Sequence, residues 1–344
     1  MNIAILGIGC VNPLGRDWNT VRANLAAGRR PESVLLPGPP GHPAHPAYCV
    51  PAPFDFVHPR LRRSSAISHF ACTAASAAVA RSGPLPAGTT ALVFAATDGA
   101  VVYTRRFYEE VVKSGCGSPL LFPETVYNAP ASHVAAMFGI DGPVLTMVSD
   151  ATAGTDALAT AAELIRSGEA GRCLVVASEE ADWILCDGSR RWGLSSTGSE
   201  SRRRGLLSEG AVALVVGAAS PGDIVLETVH RGLGIARNSS RRERLEKMFF
   251  ELAGGTPPEA AVLSSSGAFG GNAEEAALVK LFPGIRLDAP NKLAGEAFAV
   301  STLLQCAWAW QEIRDGRAGR VLVSALGWNG QAGGAVLTVS AREG

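Results

Sequence analysis

The pattern of apolar and polar positions in the middle of the chain predicts a strand, a tight corner, a helix and a second strand in close succession. The apolar run Val144–Val148 ends at a small, polar corner, residues 149–154. Apolar residues then recur three or four positions apart over residues 158–165, which is the spacing of one helical face. Residues 174–177 predict a second buried strand. This layout presents a nucleophile at a helix N-terminus, where free backbone amides favour a thiolate or an oxyanion.

The corner itself contains no cysteine. Ser149 and Thr152 are its candidate nucleophiles, and no residue close by in the sequence would activate either hydroxyl. Two interpretations therefore stay open for this stretch: an elbow for nucleophilic chemistry, or the βαβ unit of an ordinary α/β domain.

Other segments have simpler patterns. Residues 65–80 are rich in alanine and predict a packing helix whose Cys72 belongs to the core, and residues 91–96 predict a buried strand. Residues 31–60 are rich in proline and contain three histidines, but the segment HPAHPAYCVPAP (42–53) is irregular and lacks acidic companions, so a surface loop is favoured over a metal site. Those histidines are His42, His45 and His58. The polar residues 182–204 predict a second, mobile surface loop.

An internal repeat indicates that the chain is duplicated. Residues 165–177 read IRSGEAGRCLVVA and residues 313–325 read IRDGRAGRVLVSA, with nine of thirteen positions identical. A helix of small and apolar residues, about 295–312, precedes the second copy as well. This spacing is far longer than a solenoid repeat, so we expect two similar half-domains, each with one central helix and a mostly parallel sheet.

Composition narrows the class of protein further. The 344 residues include 47% apolar side chains, enough for a large core and two fused half-domains. The formal charge of zero gives no electrostatic reason to expect nucleic acid or an anionic membrane as a partner. Seven scattered cysteines without metal spacing predict core residues in a reducing compartment. Without a basic leader or a membrane-length apolar run, the sequence predicts a cytoplasmic protein.

Five segments, in the same order along the chain, resemble the β-ketoacyl synthases of the thiolase superfamily. They are the opening strand, glycine turn and helix (1–29), the segment FPETVYNAPASHVAAMFG (122–139), the central unit (142–177), LSEGAVALVV (207–216), similar to a GEGAG strand, and LGWNGQAGGAVL (326–337), similar to a closing FGFGGTN turn. The resemblance runs nearly end to end. It implies a thiolase-like α/β fold with a duplicated, five-layered αβαβα architecture, divided into an N-terminal half (1–220) and a C-terminal half (221–344).

The same resemblance implies chemistry that needs one cysteine and two histidines. Alignment through Gly154 puts Ala151 at the cysteine position. Ser264 stands where the first histidine belongs, and Glu296 replaces the second. The last histidine in the chain is His230, so no shift of the alignment can restore an imidazole beyond it. Alanine cannot be acylated, and serine and glutamate do not replace two imidazoles at neutral pH, so we predict that the chain does not condense acyl units alone.

Two functions fit these positions. In the first, the chain is a non-condensing subunit of the chain-length-factor type, which pairs with an active ketosynthase in polyketide, aryl-polyene or fatty-acid-like biosynthesis. In the second, the fold has new chemistry: a serine or threonine attacks acyl thioesters with Glu296 as base. The candidate nucleophiles for this alternative are Ser149, Thr152, Ser264, Ser265 and Ser266.

The first function implies further sites. Val144, Leu145 and Met147 would pair with the matching strand of the partner subunit. Tyr103, Phe107, Tyr108 and Val111, on the helix predicted over residues 101–113, would wall the acyl tunnel, although aromatic residues at this spacing also suit a core. Substrates would arrive on the phosphopantetheine of an acyl carrier protein, without any other cofactor or a metal. Five arginines would either dock that carrier or lie in a solvated loop: Arg190, Arg191, Arg202, Arg203 and Arg204.

Overall fold

The computed structural model describes residues 1–52, 58–193, 205–234, 241–264 and 271–340. Its strands are β1 (Ile3–Val11), β2 (Ser33–Leu36), β3 (His45–Tyr48), β4 (Thr90–Ala96), β5 (Val144–Val148), β6 (Arg172–Glu179), β7 (Gly210–Ala218), β8 (Ile224–Gly234), β9 (Ala260–Val262), β10 (Arg286–Asp288), β11 (Arg320–Leu326) and β12 (Gln331–Val339). Its α-helices are α1 (Trp18–Ala26), α2 (Ala66–Ser82), α3 (Val101–Ser114), α4 (Ala129–Phe138), α5 (Ala153–Arg166), α6 (Trp183–Arg191), α7 (Arg241–Ala253), α8 (Gly271–Leu281), α9 (Asn291–Ala294) and α10 (Ala299–Arg314).

The large sheet consists of two halves with the same strand arrangement. Its order is β10-β9-β11-β12-β8-β1-β7-β6-β4-β5, so each half contains five strands. The two halves meet where Ile3 and Ala4 of β1 pair with Leu226 and Val225 of β8. The repeated sequence segments form equivalent strands: β6 pairs parallel with β4 and antiparallel with β7, and β11 pairs parallel with β9 and antiparallel with β12. The predicted duplication is therefore visible in the topology.

Helices cover both halves and separate them. The central core contains α5, α10 and the inward side chains of both halves, such as Val175 of β6 and Val323 of β11. The neighbouring Leu174 and Val176 point to the other side of β6, where they pack with α2 and α4. Likewise Leu322 of β11 faces α7 and α8. Strands buried on both faces explain the near-continuous apolar runs, and the layers confirm the predicted αβαβα thiolase-like fold.

The structure corrects three expectations. Each half is mixed rather than mostly parallel, since β7 and β1 in one half and β12 and β8 in the other run antiparallel to their neighbours. In the C-terminal half, the connection from β11 to β12 is only four residues long, and such a short turn joins antiparallel strands. The proline-rich residues 31–60 contain the antiparallel ribbon β2–β3, in which His45 is buried. Residues 182–204, predicted to be a loop, contain α6, and its N-cap Asp182 accepts a hydrogen bond from Ile184 N at 3.0 Å. Residues 194–204 lie outside the described residues.

Other expectations hold. Cys72 is fully buried on α2, and burial raises the pKa of its thiol to about 12, which is the environment of a core residue. The predicted boundary between residues 220 and 221 falls in the connection from β7 to β8 and stays a prediction. Among the described residues, no helix has both the length and the apolar character that crossing a membrane requires.

Candidate functional site

The position predicted for the nucleophile lies between β5 and α5. Ala151 is 6% exposed, and its carbonyl accepts a hydrogen bond from the hydroxyl of Thr302 on α10. Thr302 also packs directly against Gly154, where an added Cβ would lie 2.9 Å from the threonine Cβ. The two central helices thus meet at this corner. The methyl group of Ala151 offers nothing that could accept an acyl chain.

The polar side chains around Ala151 bond to one another. Ser149 Oγ donates to Gln331 Oε1 at 2.6 Å, and Thr152 Oγ1 lies 2.9 Å from the same oxygen. The Asp150 carboxylate accepts from Thr152 N at 3.2 Å and from Asn329 N at 3.4 Å. Both hydroxyls that sequence reasoning put forward as nucleophiles are therefore engaged with Gln331 of the C-terminal half of the chain. Thr152 Oγ1 also lies 3.2 Å from Asp150 Oδ1, and the protein buries both of these side chains.

The turn between β11 and β12 closes over this corner. A Cβ added to Gly327 would lie 1.6 Å from Asp150 Oδ2, so the turn and the carboxylate are already in the closest contact that glycine permits. Asp150 is 2% exposed, and this burial raises the pKa of its carboxyl group. The next residue of the turn, Trp328, stacks on Trp192 beside α6, with ring centroids 4.9 Å apart and an interplanar angle of 26°. The corner is thus covered by the protein itself.

Ser264, at the first histidine position, follows β9 and is also buried. Its backbone N and its Oγ both donate to Glu274 Oε1, at 2.8 and 3.0 Å. Ser324 Oγ of β11 donates to the same oxygen at 2.5 Å. Glu274 is fully buried and joins α8 to two strands. This arrangement is that of a structural carboxylate, and the neighbouring candidates Ser265 and Ser266 lie outside the described residues.

Glu296, at the second histidine position, lies two residues before Phe298, which is the N-cap of α10. Its Oε1 accepts from Phe298 N at 2.8 Å and from Ser301 Oγ at 3.1 Å. Phe298 has a φ of 46°, the one positive φ of a non-glycine residue in the described part of the chain. Such a conformation persists only where neighbouring groups hold it. Glu296 therefore has a structural task in the first turn of α10 and makes no hydrogen bond with Ser149, Thr152 or Ser264.

The three replaced positions belong to one region. Ala151 bonds to Thr302 of α10, and Glu296 accepts hydrogen bonds at the start of the same helix. Asn291, the first residue of α9, donates to the carbonyl of Ser264 at 3.4 Å. The region holds alanine, serine and glutamate, each enclosed by neighbours.

His230, the histidine nearest to the C-terminus, does not belong to this set of contacts; its Nδ1 bonds to the carbonyl of Arg231. In the described ranges, no three side chains of the metal-binding types come together.

Helix α3 carries the candidates for the tunnel wall. None of its fourteen residues is buried, so packing within this chain does not make it a core helix. Phe107 packs against Phe122 at 5.7 Å between ring centroids and is T-shaped to Tyr108. Tyr103 lies under the guanidinium of Arg106. Val111 is partly exposed. The core interpretation of these aromatic residues is wrong for the isolated chain.

One side of α3 lines a groove of about 820 Å³, which we call the α3–α6 groove. Its other walls are the start of α6 and the connection between β2 and β3. Of the four tunnel candidates, only Tyr108 lines it. The lining residues are Pro39, Pro40, Val101, Thr104, Arg105, Tyr108, Glu109, Val112, Lys113, Trp183 and Ile184.

The interface candidates lie on an edge strand. β5 pairs with β4 and is the last strand of its half, with no further strand beside it in the described residues. Val144 and Leu145 are 41% and 38% exposed, whereas Met147 is partly buried against the central core. Half of the exposed large apolar side chains in the described residues lie between positions 101 and 148. They are Tyr108, Val112, Leu120, Phe122, Val126, Tyr127, Val144, Leu145 and Val148.

Sequence reasoning missed the residues that fill the site. Asp150 lies two residues after the apolar strand Val144–Val148, which is an unusual place for a carboxylate, and that was the available signal. Gln331 and Asn329 were part of a glycine-rich turn whose partner, the corner at residues 149–154, lies about 180 positions earlier. Glu274 belongs to a helical segment and gave no signal. A single sequence does not reveal such long-range pairs.

Comparisons with known proteins agree with the fold, which is that of a thiolase-like protein. The sequence profile of the family described as "Beta-ketoacyl synthase, N-terminal domain" matches residues 1–220. The chain therefore belongs to the β-ketoacyl synthase family. No curated protein sequence matches it closely enough to count as a relative.

Several solved structures have the same fold over nearly the whole chain. The ishigamide ketosynthase/chain length factor has 20% identity and a TM-score of 0.85, with 99% of this chain and 100% of that chain covered. The structure described as AntDE:AntF, a type II acyl-carrier protein in complex with its ketosynthase, has 16% identity and a TM-score of 0.84, covering 98% and 99%. A ketosynthase (ApeO) in complex with its chain length factor (ApeC) from Xenorhabdus doucetiae has 14% identity, a TM-score of 0.81 and 98% of both chains covered. At these identities the likeness shows the fold.

Proposed function

We propose that this chain is a non-condensing ketosynthase-like subunit that pairs with an active β-ketoacyl synthase and shapes its acyl tunnel. The observation that carries the proposal is the exposed, apolar edge strand β5, which directly precedes a corner with alanine at the nucleophile position. An edge strand of this kind invites pairing with another chain. Ketosynthase and chain-length-factor pairs among the structural neighbours support the same conclusion.

The apolar surface around β5 supports a lasting partnership. Exposed apolar residues extend from β5 to the segment before α4, including Phe122 and Tyr127, and on to Tyr108 of α3. Exposed apolar side chains concentrated in this way are typical of a surface that a partner covers. We expect the complex to bury well over about 1,000 Å², the size of a specific interface. Val144 and Leu145 would then lie at its centre.

The enclosed corner supports the non-condensing role. Ala151 cannot form a thioester, and the serines nearby already donate to Gln331 or Glu274. The alternative of a serine hydrolase needs a base beside one of these hydroxyls. Glu296, the base suggested for it, accepts from Phe298 N and Ser301 Oγ instead. The carboxylates that do contact hydroxyls, Asp150 with Thr152 and Glu274 with Ser264, are buried together with those hydroxyls, where an acyl thioester has no access to them. The contacts therefore favour the subunit over the hydrolase.

The α3–α6 groove supports a role in chain length. Its walls are mostly apolar, and its volume of about 820 Å³ lies within the range of about 300–1,000 Å³ that small-molecule sites occupy. The groove adjoins the apolar surface through Tyr108, so it is continuous with the proposed interface. We propose that the far end of the growing acyl chain occupies it. Tyr108 is then the principal wall residue among the original candidates.

Delivery by an acyl carrier protein completes the proposal. Substrates would be held as thioesters on its phosphopantetheine, and the chain would need no cofactor of its own. Among the arginines suggested for docking, Arg190 and Arg191 both pair with Asp187, at 2.9 and 2.6 Å, which offsets part of their charge. Arg202, Arg203 and Arg204 lie outside the described residues.

The test is to incubate the purified protein with acyl-carrier thioesters, alone and with an intact ketosynthase from the same genome. The proposal expects no turnover alone and a change in product from the pair. Thioester hydrolysis by the chain alone, at the same rate with and without the ketosynthase, would instead support the hydrolase.

A further inference from the structure

An ion pair joins the two helices that form the walls of the α3–α6 groove. Arg105 of α3 donates through Nε to both carboxylate oxygens of Asp182, at 3.1 and 3.0 Å, and Nη2 lies 2.9 Å from Oδ2. Asp182 is 5% exposed, and the Arg105 side chain is 22% exposed. Contacts of this kind, with two nitrogens on one carboxylate, fix direction as well as distance.

Both partners belong to the groove. Arg105 lines it directly, next to Thr104 and one turn from Tyr108. Asp182 is the N-cap of α6, and the two residues that follow it, Trp183 and Ile184, form the opposite wall. The pair therefore joins the α3 wall of the groove to the residue that directly precedes its α6 wall.

Few other contacts determine where α3 lies. The helix buries no residue, so no core packing anchors it. Its first turn is held by Glu180, whose Oε1 accepts from Val102 N at 2.8 Å while Oε2 accepts from Ser65 Oγ at 2.5 Å. Its far side contacts Phe122 through Phe107. Thr104 Oγ1 also donates to the carbonyl of Thr125 at 3.3 Å, and Glu110 Oε2 accepts from Ser118 N at 2.8 Å. None of these contacts reaches α6, whereas the Arg105–Asp182 pair joins α3 to the N-terminus of α6.

We propose that the Arg105–Asp182 ion pair sets the separation of α3 and α6 and so determines the length of acyl chain that the groove accepts. The two residues act as positioning residues, since neither needs to touch the reacting atoms. This inference rests on the proposed function, because it assigns the groove to the acyl chain. Loosening the pair should widen the groove without disturbing β5, which pairs with β4 and supplies none of the groove's lining residues.

Two variants loosen the pair in different ways. Asp182→Asn removes the charge and keeps an N-cap for α6, since asparagine caps helices as well as aspartate does. Arg105→Lys keeps the charge and removes the planar two-nitrogen contact. In the reconstituted pair with the ketosynthase, both should shift the ratio of longer to shorter products by about fivefold. Their affinity for the ketosynthase should stay within about twofold of the original.

The matched control is Asp315→Asn, which breaks the ion pair with Arg22 (3.2 Å) far from the groove and should leave the product ratio unchanged. Suppose that both variants still form the complex and that Tyr108→Ala does change product length. If Asp182→Asn and Arg105→Lys then leave the products unchanged, the ion-pair proposal is overturned while the proposed function stands. Failure of the original chain to bind or alter the ketosynthase would overturn the proposed function itself. Melting temperatures of all variants separate either result from unfolding.

Discussion

The carboxylate of Asp150 lies directly against Gly327, at the distance where a single added carbon would overlap with it. A Cβ on Gly327 would be 1.6 Å from Asp150 Oδ2, although the two residues are separated by 177 positions in the chain. The corner before α5 and the turn before β12 are thus fitted to each other. This contact closes the region in which the family's nucleophile would lie.

We expect Gly327→Ala to lower the free energy of unfolding by about 1–3 kcal/mol, because the turn or the carboxylate must move to admit the methyl group. The matched control is Gly188→Ala in α6, where an added Cβ meets nothing within 4 Å. That change should be neutral or stabilise by up to about 1 kcal/mol, since alanine favours the helix. Urea denaturation of both variants measures the difference. Equal stabilities for the two would show that the corner is not closely fitted.

Acylation of the corner provides a second test. The original chain should form no stable adduct on residues 149–154 after incubation with acyl-carrier or acyl-CoA donors, because Ala151 has no nucleophile and Ser149 already donates to Gln331. Ala151→Cys should allow acylation at most, without condensation, since both imidazoles are still missing. Intact-mass spectrometry and peptide mapping detect the adducts.

An ester on Ser149 or Thr152 of the original chain would contradict this expectation and favour the hydrolase. Condensation by the Ala151→Cys variant alone would contradict it in a different way, because it would mean that serine and glutamate can replace the histidines.

The two neighbouring aromatic residues of α3 should respond differently to truncation. Tyr108 is 62% exposed and lines the groove, so Tyr108→Ala should lengthen the products of the reconstituted pair with little loss of stability. Phe107 packs on Phe122 and Gly117, so Phe107→Ala should cost stability, though less than the roughly 3–5 kcal/mol of a fully buried ring. Product lengths and melting temperatures of the two variants answer the question. If Phe107→Ala lengthened the product and Tyr108→Ala did not, the acyl tunnel would have to lie on the Phe107 side of α3 and not in the α3–α6 groove.

Stability should also depend on pH through a buried glutamate. Burial raises the pKa of Glu209 from 4.5 to about 7, although the hydrogen bonds from Ala181 N and Val50 N oppose the shift. Between these pH values the folded state holds more protons than the unfolded state. Protonated Glu209 therefore contributes on the order of 3 kcal/mol to the free energy of unfolding. This stabilisation is complete below about pH 4.5 and is lost as the pH rises through 7.

Denaturation midpoints at pH 5 and pH 7.5 measure that slope. Glu209→Gln should flatten the dependence on pH, whereas Glu163→Gln, which removes an exposed carboxylate paired with Arg231, should not. An identical slope in the original chain and in Glu209→Gln would show that another group is responsible.

Much of the fold was predictable because its signals are local. The run Val144–Val148 forms β5 with the predicted bounds, and the helix expected over residues 101–113 forms α3. The repeat at residues 165–177 and 313–325 indicated two equivalent halves, which the pairing of β6 and β11 confirms. The outer strands β5 and β10 run parallel to their neighbours, as predicted. The direction of the inner strands β7, β1, β8 and β12 was not predictable in the same way, because it depends on how each connection returns to the sheet.

The site was predictable only in what it lacks. Ala151 and the absence of later histidines are visible in the sequence. The contacts of Asp150 with Gly327 and of Ser264 with Glu274 depend on which distant segments the fold brings together. The ribbon β2–β3 and the helix α6 were missed because proline and charged residues suggested loops, whereas buried neighbours such as Ala47 and Cys186 hold them in regular structure. Tertiary packing overrode local preference there.

The most direct test of the central claim is the affinity of the chain for an active ketosynthase from the same genome, measured with the original protein and with Leu145→Asp. Leu145 is half-exposed on β5, so an aspartate there should leave the chain folded and weaken the complex by at least about 30-fold, as the loss of a central interface residue does. The control Phe250→Asp changes an equally apolar, 63% exposed side chain on α7, away from β5, and should bind normally. The account predicts a stable complex that Leu145→Asp alone disrupts. A chain that stays monomeric beside the ketosynthase, or one that binds it equally well with Leu145→Asp, would contradict it.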